Sequence, residues 1–324
     1  MRMQLKSLLV IGALCAAVPA MAQPAGFPTR PITLVVPAPA GGMIDSFVLL
    51  LAEQFRRELG QPLVMDHRGG AGGIVGAKYV AGAAPDGYTL LMGNIGPLAI
   101  LPGMEPNIGY DAAKDFAPVS MVATFSNVLV VHPSVPAQSV GQVIAQAKAN
   151  PGKMTYASPG VGQSQHLSGE LFKMVTGTNL LHVPYKGAAG AMNDLLGGHV
   201  NMMFSNVPLA VKHIQSGTLR PLAVTGSTRS RAMPNVPTME EAGVKGYNVT
   251  SWIGVVAPAG TPQPIIARLN AVVARAMQSE AGKAQLERVD ADWNAGTPAE
   301  FGNFILAEQR KWREVIKKAD IKPQ

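Results

Sequence analysis

The sequence predicts an α/β fold in two lobes. Three observations predict it: short apolar, β-branched runs alternate with amphipathic helical runs along the chain; several strands pass into helices through Pro/Gly-rich joints; and two strand-like stretches, residues 116–132 and 249–258, are longer than one sheet needs. Alternation of this length implies mainly parallel sheets with helices on both faces. The two long stretches are the places where the chain would cross between lobes, so residues 27–124 with 250–324 are expected to form one lobe and residues 125–249 the other. Two crossings make a hinge, and a hinge allows closure about a ligand.

The elements follow in order. Strands are expected at "ITLVV" (32–36), "PLVMD" (62–66), "YTLLMG" (88–93), "NVLVVH" (127–132), "MTYAS" (154–158), "LLHVPY" (180–185), "VNMMF" (200–204) and "RPLAVTG" (220–226). Helices are expected over 46–59, 139–149, 166–175, 188–196, 207–215, 263–278 and 298–318. The basic run "RKWREVIKK" within the last helix reads as a solvated face, with Trp312, Val315 and Ile316 turned the other way.

The first 22 residues stand apart. Arg2 and Lys6 precede the apolar stretch "SLLVIGALCAAVPA", and "AMAQ" supplies a small-x-small site with cleavage expected after Ala22. This is the pattern of a secretory signal peptide, so the protein is expected to be exported. The single cysteine, Cys15, lies inside it, and Leu14 rather than a small residue precedes it, which argues against a lipoprotein anchor. The chain after Ala22 then has no cysteine, hence no disulfide and no thiolate chemistry. Loss of Arg2 and Lys6 lowers the formal charge from +7 to +5. The remaining basic residues are scattered, without the basic stripe and interleaved aromatics of a nucleic-acid binder.

The joint "VVPAPAGGMID" (35–45) carries the chemistry. A helix N-terminus holds several backbone N–H groups without internal partners, plus the positive end of the helix dipole. Glycine lets a ligand approach that backbone, and the carboxyl end of a parallel strand is where α/β sheets place ligands. A second joint has the same plan: "MTYASPGVGQSQH" (154–166) runs from a strand through Ser158, Gly160 and Gly162 to Gln163 and Ser164 at a helix start. One such loop in each lobe would face an anion across the cleft. Valine at Gly41 or Gly42 is expected to block that approach while the fold survives. Asp45, in a first helical turn, fits either helix capping or ligand contact. Ser164 fits a first-turn cap as well as contact, and His166 fits packing or a hydrogen bond at its helix start.

With both loops in place the chain resembles the periplasmic substrate-binding proteins of tripartite tricarboxylate transporters, also called Bug receptors. The residues that carry the resemblance are "FPTRPITLVVPAPAGGMID", "GGAGGIVGAKYVAGAAPDGYTLLMG", "KDFAPVSMVAT", "ANPGKMTYASPGVGQSQHLSGELF", "HVPYKGAAGAMNDLLGGHVNMMFSNVP", "LRPLAVTGSTRSRAMPNVPTMEEAG" and "SWIGVVAPAGTP", in that order. The resemblance implies two lobes closing like a flytrap on a small carboxylated solute. It further implies delivery to a membrane permease of one large and one small subunit, a monomeric receptor, and no cofactor or metal. The family's ligand loops fall on 37–45 and 158–166. The resemblance therefore implies a site of Ala38, Pro39, Ala40, Gly41, Gly42 and Asp45 facing Ser158, Gly160, Gly162, Gln163 and Ser164, with Asn94 and Asn206 completing the cleft. Ala38 stands where the family often has an aromatic residue, Met43 is bulkier than the usual small residue, and Ser205 replaces a frequent aspartate. These departures point away from an amino-acid ligand and toward a carboxylate of different shape.

Two other classes are weighed against this one. For an enzyme, "GVGQSQH" places a serine near a histidine but misses the G-x-S-x-G elbow, because His166 follows Gln165. "GGAGGIVG" (69–76) fails the G-x-G-x-x-G spacing at Val75, and no histidine pair has zinc-site spacing. The other alternative is a ligand-sensing co-receptor for a sensor kinase, which shares the same closed lobes.

Overall fold

A computed structural model describes residues 26–105 and 107–321; the expected signal peptide lies outside the described residues. Among them no helix is long and apolar enough to cross a membrane. The first half of the chain runs β1 (Ile32–Val36), α1 (Met43–Leu59), β2 (Leu63–His67), α2 (Ile74–Ala81), β3 (Thr89–Asn94), a π-helical turn over Gly96–Ile100, and α3 (Leu101–Met104). It continues with β4 (Phe116–Val131), α4 (Val140–Ala149), β5 (Thr155–Ser158), α5 (Ser164–Thr176), β6 (Leu181–Pro184), α6 (Ala188–Leu196), β7 (Met202–Asn206), α7 (Val207–Gln215) and β8 (Arg220–Val224). The chain closes with β9 (Thr250–Pro258), α8 (Gln263–Gln278), α9 (Glu280–Arg288), β10 (Ala291–Asp292) and α10 (Pro298–Lys318).

Hydrogen bonding orders the strands β2-β1-β3-β9-β4-β7-β5-β6, with β8 and β10 added to β4. β1 is apolar except at Thr33, because neighbours and helices cover its faces; it pairs in parallel with β2 and β3 (Leu34 opposite Met65 and Leu90). β5 pairs in parallel with β6 and β7. The expectation of mainly parallel sheets is corrected in the middle, where β3–β9, β4–β9, β4–β7, β4–β8 and β4–β10 are all antiparallel. The reason is topological. β4 carries the chain out and β9 carries it back, so the two lie side by side in opposite directions.

β4 is sixteen residues long because it serves two sheets. Phe116 to Ser126 pairs with β9, and Asn127 to Val131 pairs with β7 and β8. On the first side, α1 buries Phe47, Leu51, Phe55 and Leu59 at i,i+4 spacing, in one core with Leu34, Leu90 and the α8 residues Ile266, Leu269 and Val273. Gly60, in the left-handed region at φ 69°, ends α1 by donating its N–H to the Arg56 carbonyl. α10 begins with a capping box between Thr297 and Glu300 and Pro298 in its first turn, and buries Phe301, Ile305, Trp312, Val315 and Ile316. On the other side Val128, Val130, Ala157, Met203 and Val224 pack against α6 and α7.

Candidate ligand-binding site

The two glycine-bearing loops converge. A cavity of about 190 Å³ lies between the N-termini of α1 and α5, and the crossing strands β4 and β9 contribute Phe125, Ser251, Trp252 and Ile253 to its lining. Of the residues expected from sequence, Ala38, Pro39, Gly42, Asp45, Asn94, Gln163, Ser164 and Asn206 line it. Ala40, Gly41, Ser158, Gly160 and Gly162 do not; they shape the two loops. Met43, Ile44, Ile95 and Gln165 also line it. Larger hollows exist, an apolar one of about 380 Å³ against α10 and a polar one of about 680 Å³ along residues 226–231, but neither is lined by either loop.

The loops are built from internal hydrogen bonds. Gly41, at φ 88°, donates its N–H to Asp45 Oδ2 at 2.7 Å, and Asp45 Oδ1 lies 3.0 Å from His67 Nε2. Asp45 therefore engages both oxygens in holding the first loop against β2, while it also lines the cavity. In the second loop Gly160 N–H reaches Ser158 Oγ at 3.3 Å, and Gly162, at φ 77°, donates its N–H to His166 Nδ1 at 3.3 Å. Ser158 Oγ also lies 2.6 Å from His182 Nε2. His166 is buried and stacks on His182 with ring centroids 4.2 Å apart, and His182 stacks in turn on Tyr156. Burial pulls His166 down to about 4, helped by the Lys173 charge. Burial also pulls His182 down to about 3, with the neighbouring His166 adding to it. Both are therefore neutral at pH 7 and support the loop from behind.

Two of the lining residues are asparagines at the ends of strands. Asn94, ending β3, accepts Gly96 N–H on its Oδ1 at 2.9 Å. Asn206, ending β7, accepts Gln165 Nε2 on its Oδ1 at 2.8 Å. With each oxygen occupied, each Nδ2 is left for the cavity. Among the described residues, no Lys, Arg or His side chain lines the cavity. The first-turn N–H groups of α1 and α5 supply further donors. Ser164 is not the helix cap, a place Gln163 takes without a side-chain hydrogen bond. Ser164 Oγ instead receives a hydrogen bond from Ser251 Oγ at 2.5 Å. Ser205, one of the positions that departs from the family pattern, is buried and donates to the Asn206 carbonyl at 3.2 Å.

The lobes touch at one end of the cleft. Gln163 Nε2 reaches the Gly72 carbonyl at 3.4 Å, and Leu101 packs so closely on Gly162 that a Cβ there would lie 2.3 Å from its Cδ2. Sequence reasoning missed Gln165 and the strand residues lining the cavity. The over-long crossing strands were the available signal, since the strands that join two lobes also lie beneath the cleft between them.

Two α/β lobes with a small polar cleft on the strands between them have the architecture of a solute-binding protein. The chain belongs to the tripartite tricarboxylate transporter receptor family, whose model matches residues 48–321. It is 40% identical over 297 residues to the protein BugT of Bordetella pertussis, covering 91% of each chain. Among solved structures it is similar to R. palustris Rpa4515 with adipate, at 39% identity and a TM-score of 0.84, covering 92% of this chain and 100% of that one. It is also similar to MatC from Rhodopseudomonas palustris with bound malate, at 30% identity and a TM-score of 0.81, covering 90% of this chain and 100% of that one. The protein is thus a periplasmic receptor of the Bug type, and not an enzyme.

Proposed function

We propose that this receptor captures a small carboxylated solute between its lobes and delivers it to a permease of one large and one small subunit. In this reading the leader is removed after Ala22, the protein acts as a monomer, and residues 27–124 with 250–324 rotate as one lobe against 125–249. The carrying observation is the pair of asparagines, one from each lobe, whose oxygens are held by internal donors so that both Nδ2 groups remain for a ligand in a cavity without cationic side chains. Each charge-assisted hydrogen bond contributes ~1.5–3 kcal/mol. Micromolar affinity needs ~8 kcal/mol net. Two amides and two helix ends supply that without an ion pair. The apolar contributions of Met43, Ile95, Phe125 and Ile253 suit a short hydrocarbon segment beside the carboxylate. The dicarboxylates adipate and malate, bound by the two related structures, are the first candidates. Titration calorimetry against mono-, di- and tricarboxylates tests the reading. One acid binding saturably with one site per chain supports it, and no heat from any acid refutes it.

A further inference from the structure

The wall that α5 and β7 present to the cavity is polarised by a chain of hydrogen bonds that starts on the hinge strands. The Ser251 hydroxyl on β9 donates to Ser164 Oγ at 2.5 Å. From β4, Asn127 Nδ2 approaches the same oxygen at 3.5 Å and Ser168 Oγ at 3.3 Å. Ser164 Oγ thus accepts from the hinge side and donates its own proton to Gln165 Oε1 at 3.2 Å. An amide whose oxygen accepts on one side offers its nitrogen on the other. Gln165 Nε2 accordingly donates to Asn206 Oδ1 at 2.8 Å, and Asn206 Nδ2, with no partner among the described residues, is left at the cavity that Asn206 lines. Ser251, Asn127, Ser164, Ser168 and Gln165 are all buried. Each proton direction therefore constrains the next along the chain.

We infer that Gln165 is a positioning residue that sets the specificity of this wall. By holding the Asn206 oxygen it makes the wall a donor, matched to a carboxylate oxygen and mismatched to an ammonium group, which has no acceptor. The inference rests on the carboxylate reading above and adds a cause for its selectivity.

Gln165→Glu separates the alternatives. Glutamate still accepts from Ser164 but donates nothing, so Asn206 must turn its Nδ2 to the new carboxylate and show Oδ1 to the cavity. Gln165→Met keeps the length, adds no charge and merely releases Asn206. The first measurement uses the unliganded full-length exported protein: NMR detection of the scalar coupling across the hydrogen bond between Gln165 Nε2 and Asn206 Cγ. It is expected in the wild type. The second is calorimetry with adipate and its neutral diester, dimethyl adipate, which carries acceptor oxygens and no donor. Gln165→Glu is expected to weaken both about tenfold or more, while Gln165→Met weakens both about threefold. Repulsion by the added charge accounts for a loss of the dianion but not for a matching loss of the neutral diester, so that loss reports the turned amide. Absence of the coupling, or dimethyl adipate binding unmoved by Gln165→Glu, overturns the inference. A wild type that shows the coupling yet takes neither adipate nor any other acid refutes the carboxylate reading, while the oriented amide stands on the coupling.

Discussion

Gly42 adopts φ −84° and ψ 172°, an extended conformation open to any residue, and the nearest atom to a Cβ placed there is the Pro39 carbonyl oxygen at 3.9 Å. Valine at this position meets neither strain nor clash. Its branched side chain stands instead over the first turn of α1, where the N–H groups of the helix end are available to an anion. Blocking one charge-assisted hydrogen bond removes ~1.5–3 kcal/mol. That raises Kd about tenfold to a hundredfold, at 1.4 kcal/mol per factor of ten. The fold loses under about 1 kcal/mol, the difference between glycine and an aliphatic residue at a helix N-cap. Gly41 differs: it lies at φ 88°, and although nothing sits within 4 Å of a Cβ there, a β-branched residue is strained in that region by ~1–3 kcal/mol. Sequence reasoning treats the two glycines alike; the structure separates them. Calorimetry for the ligand and urea unfolding for the unliganded protein check the pair. Gly42→Val should lose binding with nearly intact stability, and Gly41→Val should lose stability as well. Wild-type affinity in Gly42→Val would refute the argument that ligand reaches the backbone at this helix end.

Three further outcomes are expected. His166 and His182 stay neutral in the fold while the unfolded imidazoles titrate near 6.5, so the unfolded chain takes up protons the folded chain refuses; stability should fall as pH drops from about 6.5 toward 4, by on the order of 3 kcal/mol for His166. Urea midpoints that stay flat between about pH 7 and pH 4.5 would contradict that burial. Gly162→Ala puts a Cβ 2.3 Å from Leu101 Cδ2 at φ 77°, which should lower the melting temperature and hold the lobes apart, with ~1–2 kcal/mol from the backbone alone; unchanged melting and an unchanged scattering radius would rule out that contact. Ser164→Ala interrupts the line from Ser251 to Gln165 without removing a cap, so affinity should fall about threefold to tenfold, and a change within about twofold would show that Gln165 keeps its orientation unaided.

The strands and the two glycine-bearing loops were legible because their signals are local. β1 is a run rich in β-branched residues, α1 repeats at i,i+4, and Pro and Gly mark the joints. The long stretches at 116–132 and 249–258 were legible as strands for the same reason. Their antiparallel pairing and their place in the cavity lining were not, since both depend on where the returning chain lies. α2 was hidden by glycines that argue against a helix. One of them, Gly76, is required by packing, as a Cβ there would lie 2.9 Å from the Arg68 carbonyl oxygen. In the site, sequence marked the glycine-rich backbone as ligand-facing. It did not reveal that the N–H groups of Gly41, Gly160 and Gly162 are engaged by Asp45, Ser158 and His166, because those partners follow from the fold of each loop. Nor does residue type tell which face of Asn94 or Asn206 meets the cavity; that is set by Gly96 and Gln165.

The central claim is that a small carboxylate occupies the cleft between the lobes. Native mass spectrometry of the exported protein, as purified and after exchange against a panel of mono-, di- and tricarboxylates, tests it most directly. The account predicts one acid retained per chain and lost in Gly42→Val. A wild-type chain that holds no acid from the panel, at concentrations where the related receptors are saturated, would contradict it.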